Sequence, residues 1–458
     1  MRTRTLQAVA AAVGGVVTDG AAIEVDAVAT DSRAVGPRTM FVALRGDRLD
    51  GHDFVGEAFD RGAAAVLVGP GLRVDGPSVH VRDTGDALLA LAADERTRFD
   101  GTVVAITGAN GKTSTKDLTA AVLAERWRTH ASPSSFNNEV GVPMTLLGAP
   151  PDTEVIVAEL GARRGGDVAR LCELARPQMA VVTNMGVAHM EVFGSWQAIE
   201  AAGAEPVEAL PTDGVAVLNA DDPVVVGYGA RTSARTVTFG RASDATVRAD
   251  GVRLGRDGHA SFDLRVGDAR APLTLRVPGE HMVSNALAAA AVGRELDVPL
   301  DACATALTRA TITRWRMEVI ETPTGVRILN DAYNANPESM AAAMKTARWM
   351  AGDARLIAVL GQMAELGDIA AVEHERIGEL AARLRVDRLI TIGPDAKEIA
   401  VAGVREGIEP DQVADYDDLD AALDDVVATA GPGDVVLVKG SRVAGLEVLA
   451  PRLVEALA

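Results

Sequence analysis

The chain has 458 residues, and its composition is typical of a globular protein, with 48% hydrophobic, 24% charged and only 3% aromatic residues. This length predicts about three domains. A formal net charge of -19 argues against general binding to nucleic acids or anionic membranes, because these surfaces carry the same sign of charge. An anionic ligand must therefore be held by local groups, such as helix N-termini and individual Arg or Lys side chains.

The sequence also indicates where the protein works. Its two cysteines, Cys172 and Cys303, lie far apart without the spacing of a metal site, which is typical of a reducing compartment. No stretch is long and apolar enough to span a bilayer. The Ala- and Val-rich N-terminus is soon followed by Asp19, Glu24 and Asp26, and we interpret it as a first helix rather than an export signal. We expect a cytoplasmic protein, and by default a monomer.

Residues 1–98 are predicted to form a small αβ domain. Its predicted elements are strands at 25–29, 40–44, 63–68 and 78–81, and helices at 54–61 and 84–99. Two polar segments of this domain, Asp31-Ser32-Arg33 and residues 45–52, are equally compatible with binding of an anion and with solvated turns.

A short apolar run, Val103 to Ile106, predicts a buried strand of a parallel sheet. It leads into a tight turn, Gly108-Ala109-Asn110-Gly111, which is followed by Lys112-Thr113-Ser114 and by a helix predicted over 116–123. A strand, a glycine turn, Gly-Lys-Thr and a helix together predict a phosphate-binding loop, here in a shortened form because position 106 is not glycine. Backbone N–H groups would hold a triphosphate, Lys112 would reach its outer oxygens, and Thr113 or Ser114 would offer a hydroxyl to Mg²⁺.

The central block, residues 99–317, alternates strands and helices as a doubly wound parallel sheet does. Three further parallel strands are predicted at 155–159, 179–184 and 215–219. Ligands of such sheets bind at the carboxyl ends of the strands, where this chain has Glu159, Asn184 with nearby His189, and Asn219 with Asp221. Glu159 stands where a Mg²⁺ ligand is needed. His189 lies in a glycine-containing loop, and both a metal or phosphate contact and a packed histidine stay open.

The pattern changes twice in the rest of the chain. Between about 229 and 278 it consists of short alternating runs, which we interpret as an antiparallel appendage, at 236–239, 262–266 and 273–277. An Ala-rich helix opens at 280–285. Residues 318–458 then predict a second nucleotide-binding-like sheet, with strands at 327–330, 356–360, 388–392 and 435–438. Pro337 after Asn336 predicts a helix start with an Asn cap.

Several longer motifs resemble those of the Mur ligase superfamily. The first two are Thr107 to Thr113 and the segment Ser134-Ser135-Phe136-Asn137-Asn138-Glu139-Val140-Gly141-Val142-Pro143. Three more are similar to the branch of the superfamily that adds D-alanyl-D-alanine to a UDP-N-acetylmuramoyl-tripeptide, at residues 159–162, 184–195 and 330–340. The segments at 41–46 and 438–442 extend the resemblance through all three blocks.

The resemblance implies a three-domain α/β fold. It consists of an N-terminal αβ domain that binds UDP (1–98), a central ATP-binding domain with a mostly parallel P-loop sheet (99–317) and a C-terminal Rossmann-like domain that binds the dipeptide and closes on ATP (318–458). The implied activity is an ATP-dependent amide ligase of peptidoglycan precursor biosynthesis. ATP and Mg²⁺ are the implied cofactors, and the substrates are small molecules. ATP would convert the tripeptide carboxylate into an acyl phosphate, which the dipeptide amine would attack.

The resemblance also assigns roles to single residues. The nucleotide would be held by Gly108, Asn110, Gly111, Lys112, Thr113, Ser114, Asn285 and Arg316, with Asp331 and Tyr333 at its ribose and adenine. A first Mg²⁺ would be held by Thr113 or Ser114 with Glu159, and a second by His189. The catalytic residues would be Lys112, Glu159 and His189. Asn137 and Asn138 would face the muramoyl-peptide, and Ser32 and Arg33 would help to hold the uridine diphosphate.

One position departs from the family pattern. Family members carry a carbamylated Lys, a ligand of the second metal, on the helix after the Phe-Gly-Ser segment 193–195, and counting from Ser195 this position is Gly203. Glycine has no ligand atom, and Gly203 and Pro206 would weaken the helix by about 1 and 3 kcal/mol relative to Ala. Three interpretations stay open. Glu200 or Glu205 replaces the ligand, water fills its place with slower chemistry, or the chain is a paralogue that joins a different acid and amine or only binds nucleotide.

Overall fold

The computed structural model describes residues 1–46, 48–187 and 190–458, which form three α/β units that follow one another along the chain. Each unit has its own main sheet, of five, nine and six strands. None of the helices in these described ranges is long and apolar enough to cross a membrane. The predicted fold class, three α/β units around mostly parallel sheets, is confirmed.

The first unit contains β1 (Arg4–Thr5), α1 (Leu6–Val13), β2 (Val16–Asp19), β3 (Glu24–Val25), β4 (Ala27–Ala29), β5 (Thr39–Val42), α2 (Val55–Asp60), β6 (Ala65–Val68), β7 (Ser78–His80) and α3 (Thr84–Thr97). Its sheet has the order β2-β7-β6-β5-β4, in which β2 alone is antiparallel to its neighbour. All residues of β5 and β6 are buried, as expected for strands covered on both faces. Leu88 and Leu91 of α3 share a core with Ile156 and Leu171, so the first unit packs directly on the second.

The second unit contains β8 (Thr102–Thr107), α4 (Lys112–Leu123), β9 (Thr129–Ala131), α5 (Gly141–Gly148), β10 (Val155–Glu159), α6 (Asp167–Ala175), β11 (Met179–Val182), α7 (Met190–Phe193), α8 (Trp196–Glu208), β12 (Val215–Asn219), α9 (Pro223–Gly227), β13 (Arg235–Gly240), β14 (Val247–Leu254), β15 (His259–Val266), β16 (Ala269–Pro278), α10 (Met282–Glu295) and α11 (Leu300–Arg309). The strand order is β16-β15-β14-β13-β12-β11-β8-β10-β9. The phosphate-loop strand β8 lies between β10 and β11 and is parallel to both.

The interpretation of residues 229–278 as an antiparallel appendage is wrong in part. β13, which contains the first alternating run, pairs in parallel with β12 and continues the central sheet. Within residues 229–278, the antiparallel pairs are those of β15 with β14 and with β16. In β13 the side chains of Val237 and Phe239 are buried while those of Arg235 and Thr236 are exposed. Alternation therefore reports that one face of the strand is covered, and it does not report the direction of the neighbouring strand.

The third unit contains β17 (Glu318–Glu321), β18 (Arg327–Asn330), α12 (Pro337–Ala351), β19 (Leu356–Gly361), α13 (Ala370–Arg383), β20 (Arg388–Ile392), α14 (Lys397–Arg405), β21 (Val413–Tyr416), α15 (Leu419–Thr429), β22 (Val435–Lys439) and α16 (Leu449–Ala456). Its sheet has the order β17-β18-β22-β19-β20-β21 and is parallel except for β17. The helix start predicted at Pro337 is confirmed. The Asn336 side chain accepts from the N–H of Ser339 at 2.9 Å in a capping box.

Candidate active site

The phosphate loop connects the end of β8 to α4, which begins at Lys112, earlier than predicted. Gly108 has φ +133° and Gly111 has φ +77°, values that residues with a side chain rarely adopt. A Cβ at Gly108 would lie 2.1 Å from Thr183 Oγ1, and a Cβ at Gly111 would lie 2.4 Å from Asn285 Oδ1. Both positions therefore require glycine, for backbone conformation and for the close approach of polar side chains.

Asn110, at the tip of the loop, is held from three directions. Its N–H donates to Asn184 Oδ1 at 2.9 Å, and its carbonyl accepts from Thr183 Oγ1 at 2.6 Å. Its own Oδ1 accepts from Asn336 Nδ2 of the third unit at 2.8 Å. Asn184, predicted only as a polar strand-end residue, thus braces the loop, and Asn336 connects the loop to the third unit.

Lys112 lies at the base of the cleft and points along the loop. Its Nζ donates to the carbonyls of Gly108 at 2.7 Å and of Ala109 at 3.3 Å. Enclosure by protein lowers the pKa of the Lys112 ammonium, Glu159 acts against this shift, and Arg316 adds to it. A polyphosphate beside Lys112 would favour the charged ammonium, so the side chain is placed to neutralise a bound anion.

Thr113 and Glu159 form the candidate metal-binding pair. Thr113 Oγ1 donates to Glu159 Oε2 at 2.7 Å and lies 2.9 Å from Ser135 Oγ. Asn137 Nδ2 donates to Glu159 Oε1 at 2.9 Å, and Glu159 is only 1% exposed. Ser114 follows on α4 and also lines the cleft. Hydroxyl and carboxylate oxygens are the ligands that Mg²⁺ prefers, so this donor set fits the first predicted Mg²⁺.

Arg316 links the second unit to the third. Its Nη2 donates to Ser135 Oγ at 2.8 Å, and its guanidinium stacks 4.1 Å from the centroid of the Tyr333 ring. Its Nε is buried and has no hydrogen-bond partner in the part of the chain that the structure describes. Asn285 lies opposite, beside Gly111. The structure therefore brings Arg316, Tyr333 and Asn285 into the same cleft as the phosphate loop. Their assignment to the nucleotide stays a prediction.

Asp331 is held by a lysine that sequence reasoning did not assign to the site. Lys439 Nζ contacts Asp331 Oδ2 at 2.5 Å and donates to the carbonyl of Asn334 at 3.0 Å. The other carboxylate oxygen, Oδ1, accepts from the N–H of Met317 at 3.0 Å. The missed signal was a lysine at the carboxyl end of a buried strand, in the segment 438–442 that carried part of the resemblance.

Ser32 and Arg33 do not line the cleft around the phosphate loop. The buried Ser32 hydroxyl donates to Glu57 Oε2 at 3.2 Å, and the exposed Arg33 pairs with Asp31 at 2.7 Å. The Arg33 guanidinium lowers the pKa of the Asp31 carboxyl to about 2. Their assignment to the uridine diphosphate stays a prediction.

Asn138 and His189 are the two remaining predicted site residues, and the structure describes only the first of them. Asn138 lines the cleft, and its Oδ1 accepts from the N–H of Gly141 at 2.8 Å at the start of α5. His189, predicted to bind the second metal, lies outside the described residues. Neither assignment is decided by this geometry.

The helix α8 is continuous through Gly203 and Pro206, although both residues have a low helix propensity. Its buried face packs into a core cluster with Tyr228, which compensates for their low helix propensity. A Cβ at Gly203 would lie 2.7 Å from both Met185 Sδ and Tyr228 Oη. The Tyr228 hydroxyl donates to the Glu200 carbonyl at 2.9 Å. A side chain at position 203 would therefore require Met185 and Tyr228 to move. Because glycine itself has no ligand atom, α8 does not supply the carbamylated lysine that the resemblance implies.

Glu205 does not replace that lysine in this arrangement. Its Oε1 accepts from the N–H of Gly166 at 2.6 Å and its Oε2 from the N–H of Ala169 at 2.9 Å. Both carboxylate oxygens therefore cap the first turn of α6. In the described residues, no group of three or more His, Cys, Asp and Glu side chains could hold a metal ion.

The phosphate loop, Glu159 and Arg316 line one cleft of about 1720 Å³, to which all three units contribute. Models of the Mur ligase family match the chain in three parts: the Mur ligase family catalytic domain at 24–96, the Mur ligase middle domain at 106–293 and the Mur ligase glutamate ligase domain at 315–442. The order of the three matches follows the order of the three units.

Single relatives resemble almost the whole chain. The UDP-N-acetylmuramoyl-tripeptide--D-alanyl-D-alanine ligase of Mycobacterium tuberculosis is 42% identical over 93% of this chain and 91% of its own. The solved UDP-N-acetylmuramoylalanyl-D-glutamyl-2,6-diaminopimelate--D-alanyl-D-alanyl ligase of Acinetobacter baumannii is 28% identical, with a TM-score of 0.85 over 99% of both chains. The MurF ligase of Thermotoga maritima, solved in complex with ADP, is 28% identical, with a TM-score of 0.80 over 94% of this chain and 97% of its own. The chain therefore belongs to the Mur ligase family.

Proposed function

We propose that this chain is an ATP-dependent peptide ligase that adds D-alanyl-D-alanine to a UDP-N-acetylmuramoyl-tripeptide in peptidoglycan precursor biosynthesis. The observation that carries the proposal is one cleft in which the phosphate loop and the Thr113–Glu159 pair face Asp331 and Tyr333 of the third unit. The activities for which the Mycobacterium tuberculosis and Acinetobacter baumannii relatives are named support the choice of substrates.

The phosphate loop supplies the groups that hold ATP. N–H groups at the start of α4 and the positive end of that helix would bind the phosphates, and Lys112 would neutralise the outer charge. Thr113 or Ser114 with Glu159 would hold Mg²⁺, which when bound neutralises charge on the phosphoryl oxygens. From the third unit, Asp331 and Tyr333 would contact the ribose and the adenine. The ADP complex of the Thermotoga maritima relative supports a nucleotide site in this fold.

The reaction consists of two transfers. The donor carboxylate attacks the γ-phosphorus, ADP leaves, and an acyl phosphate forms. The amine of D-alanyl-D-alanine then attacks the acyl carbon, loses a proton and expels inorganic phosphate as the amide forms. The first step brings two anions together, and the second develops an oxyanion at the acyl carbon. Lys112, Arg316 and the loop N–H groups lower both barriers because they are already oriented before charge accumulates.

The third unit completes the site by contacting the loop directly. Asn336 donates to the side chain of Asn110, and the N–H of Val187 donates to Glu338 Oε1 at 3.4 Å. Arg316 lies at the connection between the two units. These contacts support a mechanism in which closure of the third domain brings the dipeptide to the phosphorylated donor and excludes water.

The donor would lie along the opposite wall. Asn137 and Asn138 would face its peptide, while Ser32 and Arg33 of the first unit would hold its uridine diphosphate. The Acinetobacter baumannii relative is named for an alanyl-D-glutamyl-2,6-diaminopimelate donor, and we propose a donor peptide of this acidic type here.

We further propose domain boundaries near residues 98 and 317, a monomer, small molecules as the substrates, and a cytoplasmic location. Cys172 and Cys303 are both buried and unpaired, which is typical of proteins in a reducing compartment. The absence of a lysine at position 203 is the observation behind the alternatives of a different substrate pair or a non-catalytic protein. We do not favour them, because the phosphate loop with Lys112 and the Thr113–Glu159 pair are both in place.

The test is product formation from defined substrates. The chain is incubated with ATP, Mg²⁺, UDP-N-acetylmuramoyl-tripeptide and D-alanyl-D-alanine, and phosphate release is measured together with the product mass. We expect one phosphate per pentapeptide and no product when ATP is omitted. Binding of ATP without any product, or phosphate release that needs no dipeptide, would contradict the proposed reaction.

A further inference from the structure

Three arginines stand out among the cations that line the cleft. Arg163 and Arg164 lie in the loop after β10, and Arg170 lies on α6; all three side chains are exposed. In the described part of the chain, none of these guanidinium groups makes a hydrogen bond or comes within 4 Å of a carboxylate oxygen. We refer to Arg163, Arg164 and Arg170 as the arginine cluster.

The other cations of the cleft all have protein partners. Lys112 contacts the loop carbonyls, Arg316 contacts Ser135 and Tyr333, Lys439 pairs with Asp331, and Arg442 pairs with Glu447 at 2.9 Å. In a chain with a net charge of -19, three cations without a protein anion on one cleft wall are an unusual local feature. Their charge is available to a ligand.

Nearby carboxylates are used to hold the backbone instead. Asp167 Oδ2 accepts from the N–H of Arg163 at 3.0 Å and of Arg164 at 2.8 Å. Glu205 caps the first turn of α6, as described above. The loop is thereby held in place, while its guanidinium groups are left to face the cleft.

The position of the arginine cluster follows from the path of the chain. Arg163 and Arg164 come four and five residues after Glu159, a separation of at most about 14–18 Å along the backbone. Gly161, which lies between Glu159 and Arg163, donates its N–H to the carbonyl of Asn137 at 2.8 Å. A peptide whose last carboxylate reaches the phosphate loop extends about 10 Å for three residues. The remainder of a tripeptide donor would therefore pass the arginine cluster on its way to the first unit, whose helix α3 forms the facing wall.

The proposed donor carries carboxylates that do not react. A glutamyl residue in a peptide retains one free carboxylate, and 2,6-diaminopimelate has two, only one of which becomes the acyl phosphate. Arginine binds carboxylates through two parallel hydrogen bonds. We propose that Arg163, Arg164 and Arg170 form a subsite that binds the non-reacting carboxylates of the donor peptide and thereby selects acidic peptides. This proposal rests on the proposed function and names what determines its donor specificity.

The test uses two donors and matched variants. One donor has its non-reacting carboxylates free, and the other is amidated at all of them. The variants are Arg163→Gln, Arg164→Gln, Arg170→Gln and the triple variant. The control is Arg276→Gln, which changes an exposed arginine of β16 outside the cleft. Melting temperatures are compared first, and we expect no change because all four side chains are exposed.

With the free-carboxylate donor we expect the triple variant to lose about 100-fold in kcat/KM, mainly through a higher KM, since charged hydrogen bonds to the carboxylates are removed. With the amidated donor, the wild type should already be slow and the triple variant should lose less than about 3-fold. Equal losses on both donors, or no loss on either, would overturn the carboxylate subsite while leaving wild-type turnover intact. Failure of the wild type to make product from the free-carboxylate donor would overturn the proposed reaction and, with it, the subsite.

Discussion

The phosphate-loop side and the α8 side of the second unit are built in opposite ways. On the first side, close approach of side chains creates a binding site, because Asn285 and Thr183 fit only against Gly111 and Gly108. On the α8 side, close approach removes one, because Met185 and Tyr228 fill the space that a side chain at Gly203 would need. Gly108 and Gly111 are required by their backbone conformation and by the close approach of polar side chains, whereas Gly203 leaves room for the packing of Met185 and Tyr228.

The difference teaches that a helix can keep its full length at a position that offers no ligand atom. Helix α8 keeps its length because Ala204 and Val207 remain in the core cluster with Tyr228. Its Glu205 retains a structural role at α6. The phosphate loop and the Thr113–Glu159 pair do not approach Gly203, so their geometry does not depend on it. We therefore expect changes on the two sides to have separable effects.

The largest effect is expected from Lys112→Ala. This change removes the cation closest to the loop carbonyls and should lower kcat by about 10²–10³-fold, as loss of a preorganised electrostatic group does. Single-turnover phosphate release measures it. Lys345→Ala, an exposed lysine of α12, is the matched control and should retain wild-type activity. Similar activity in the two variants would contradict the assigned role of Lys112.

Gly203→Lys should alter stability rather than restore a ligand. Its Cβ would lie 2.7 Å from Met185 Sδ and Tyr228 Oη, and overpacking of this kind costs about 1–3 kcal/mol. Denaturant unfolding measures this loss. Activity should not respond to added bicarbonate. A bicarbonate-dependent rise in activity would show that position 203 does reach the metal site and would contradict the packing account.

Glu205→Ala is expected to have a smaller effect, confined to α6. Loss of the cap leaves the N–H groups of Gly166 and Ala169 without their acceptor and should lower the free energy of unfolding by about 1–2 kcal/mol. Glu208→Ala on the same helix removes only a half-exposed ion pair and should cost less than about 1 kcal/mol. If Glu205→Ala instead weakened Mg²⁺ binding at unchanged stability, Glu205 would be a metal ligand.

Cys172 lies on α6, the helix that Glu205 caps. Its thiol makes the free energy of unfolding depend on pH, and its rate of labelling reports loss of the cap. Burial raises the pKa of the Cys172 thiol to about 12 from an ordinary value of 9.0. The folded chain then holds a proton that the unfolded chain releases, so stability should fall as the pH rises from 9 towards 12. A thiol reagent at pH 8 should label Cys172 slowly in the wild type and faster in Glu205→Ala. Rapid labelling of the wild type would contradict its burial.

The parts of the site that sequence reasoning predicted are the local ones. Gly108 to Ser114 are contiguous, and Glu159 ends a strand next to β8, so strand order alone brings them together. Contacts between distant segments were not predictable in this way. The hydrogen bond from Asn336 to Asn110 joins residues 226 positions apart, and Lys439 lies 108 positions from Asp331. The first contact depends on how the second and third units pack, and the second on the pairing of β18 with β22 within the third unit.

The continuous helix at Pro206 was missed for a related reason. Helix propensity is a local quantity, whereas the packing that supports α8 comes from Tyr228, more than twenty residues further along the chain. The direction of β13 was also beyond the sequence pattern, since its alternation records only which face is covered. The arginine cluster was not singled out because nothing in the sequence marks an arginine as lacking a protein partner.

The most direct test of the central claim is the bicarbonate dependence of wild-type turnover. Pentapeptide formation is measured in buffer depleted of carbon dioxide and again with added bicarbonate, with phosphate release followed in parallel. The account predicts equal rates, because none of the five lysines of the chain lies on α8 and position 203 is filled by packing. A rate that falls on depletion and recovers with bicarbonate would contradict it, since a carbamylated lysine would then serve the reaction.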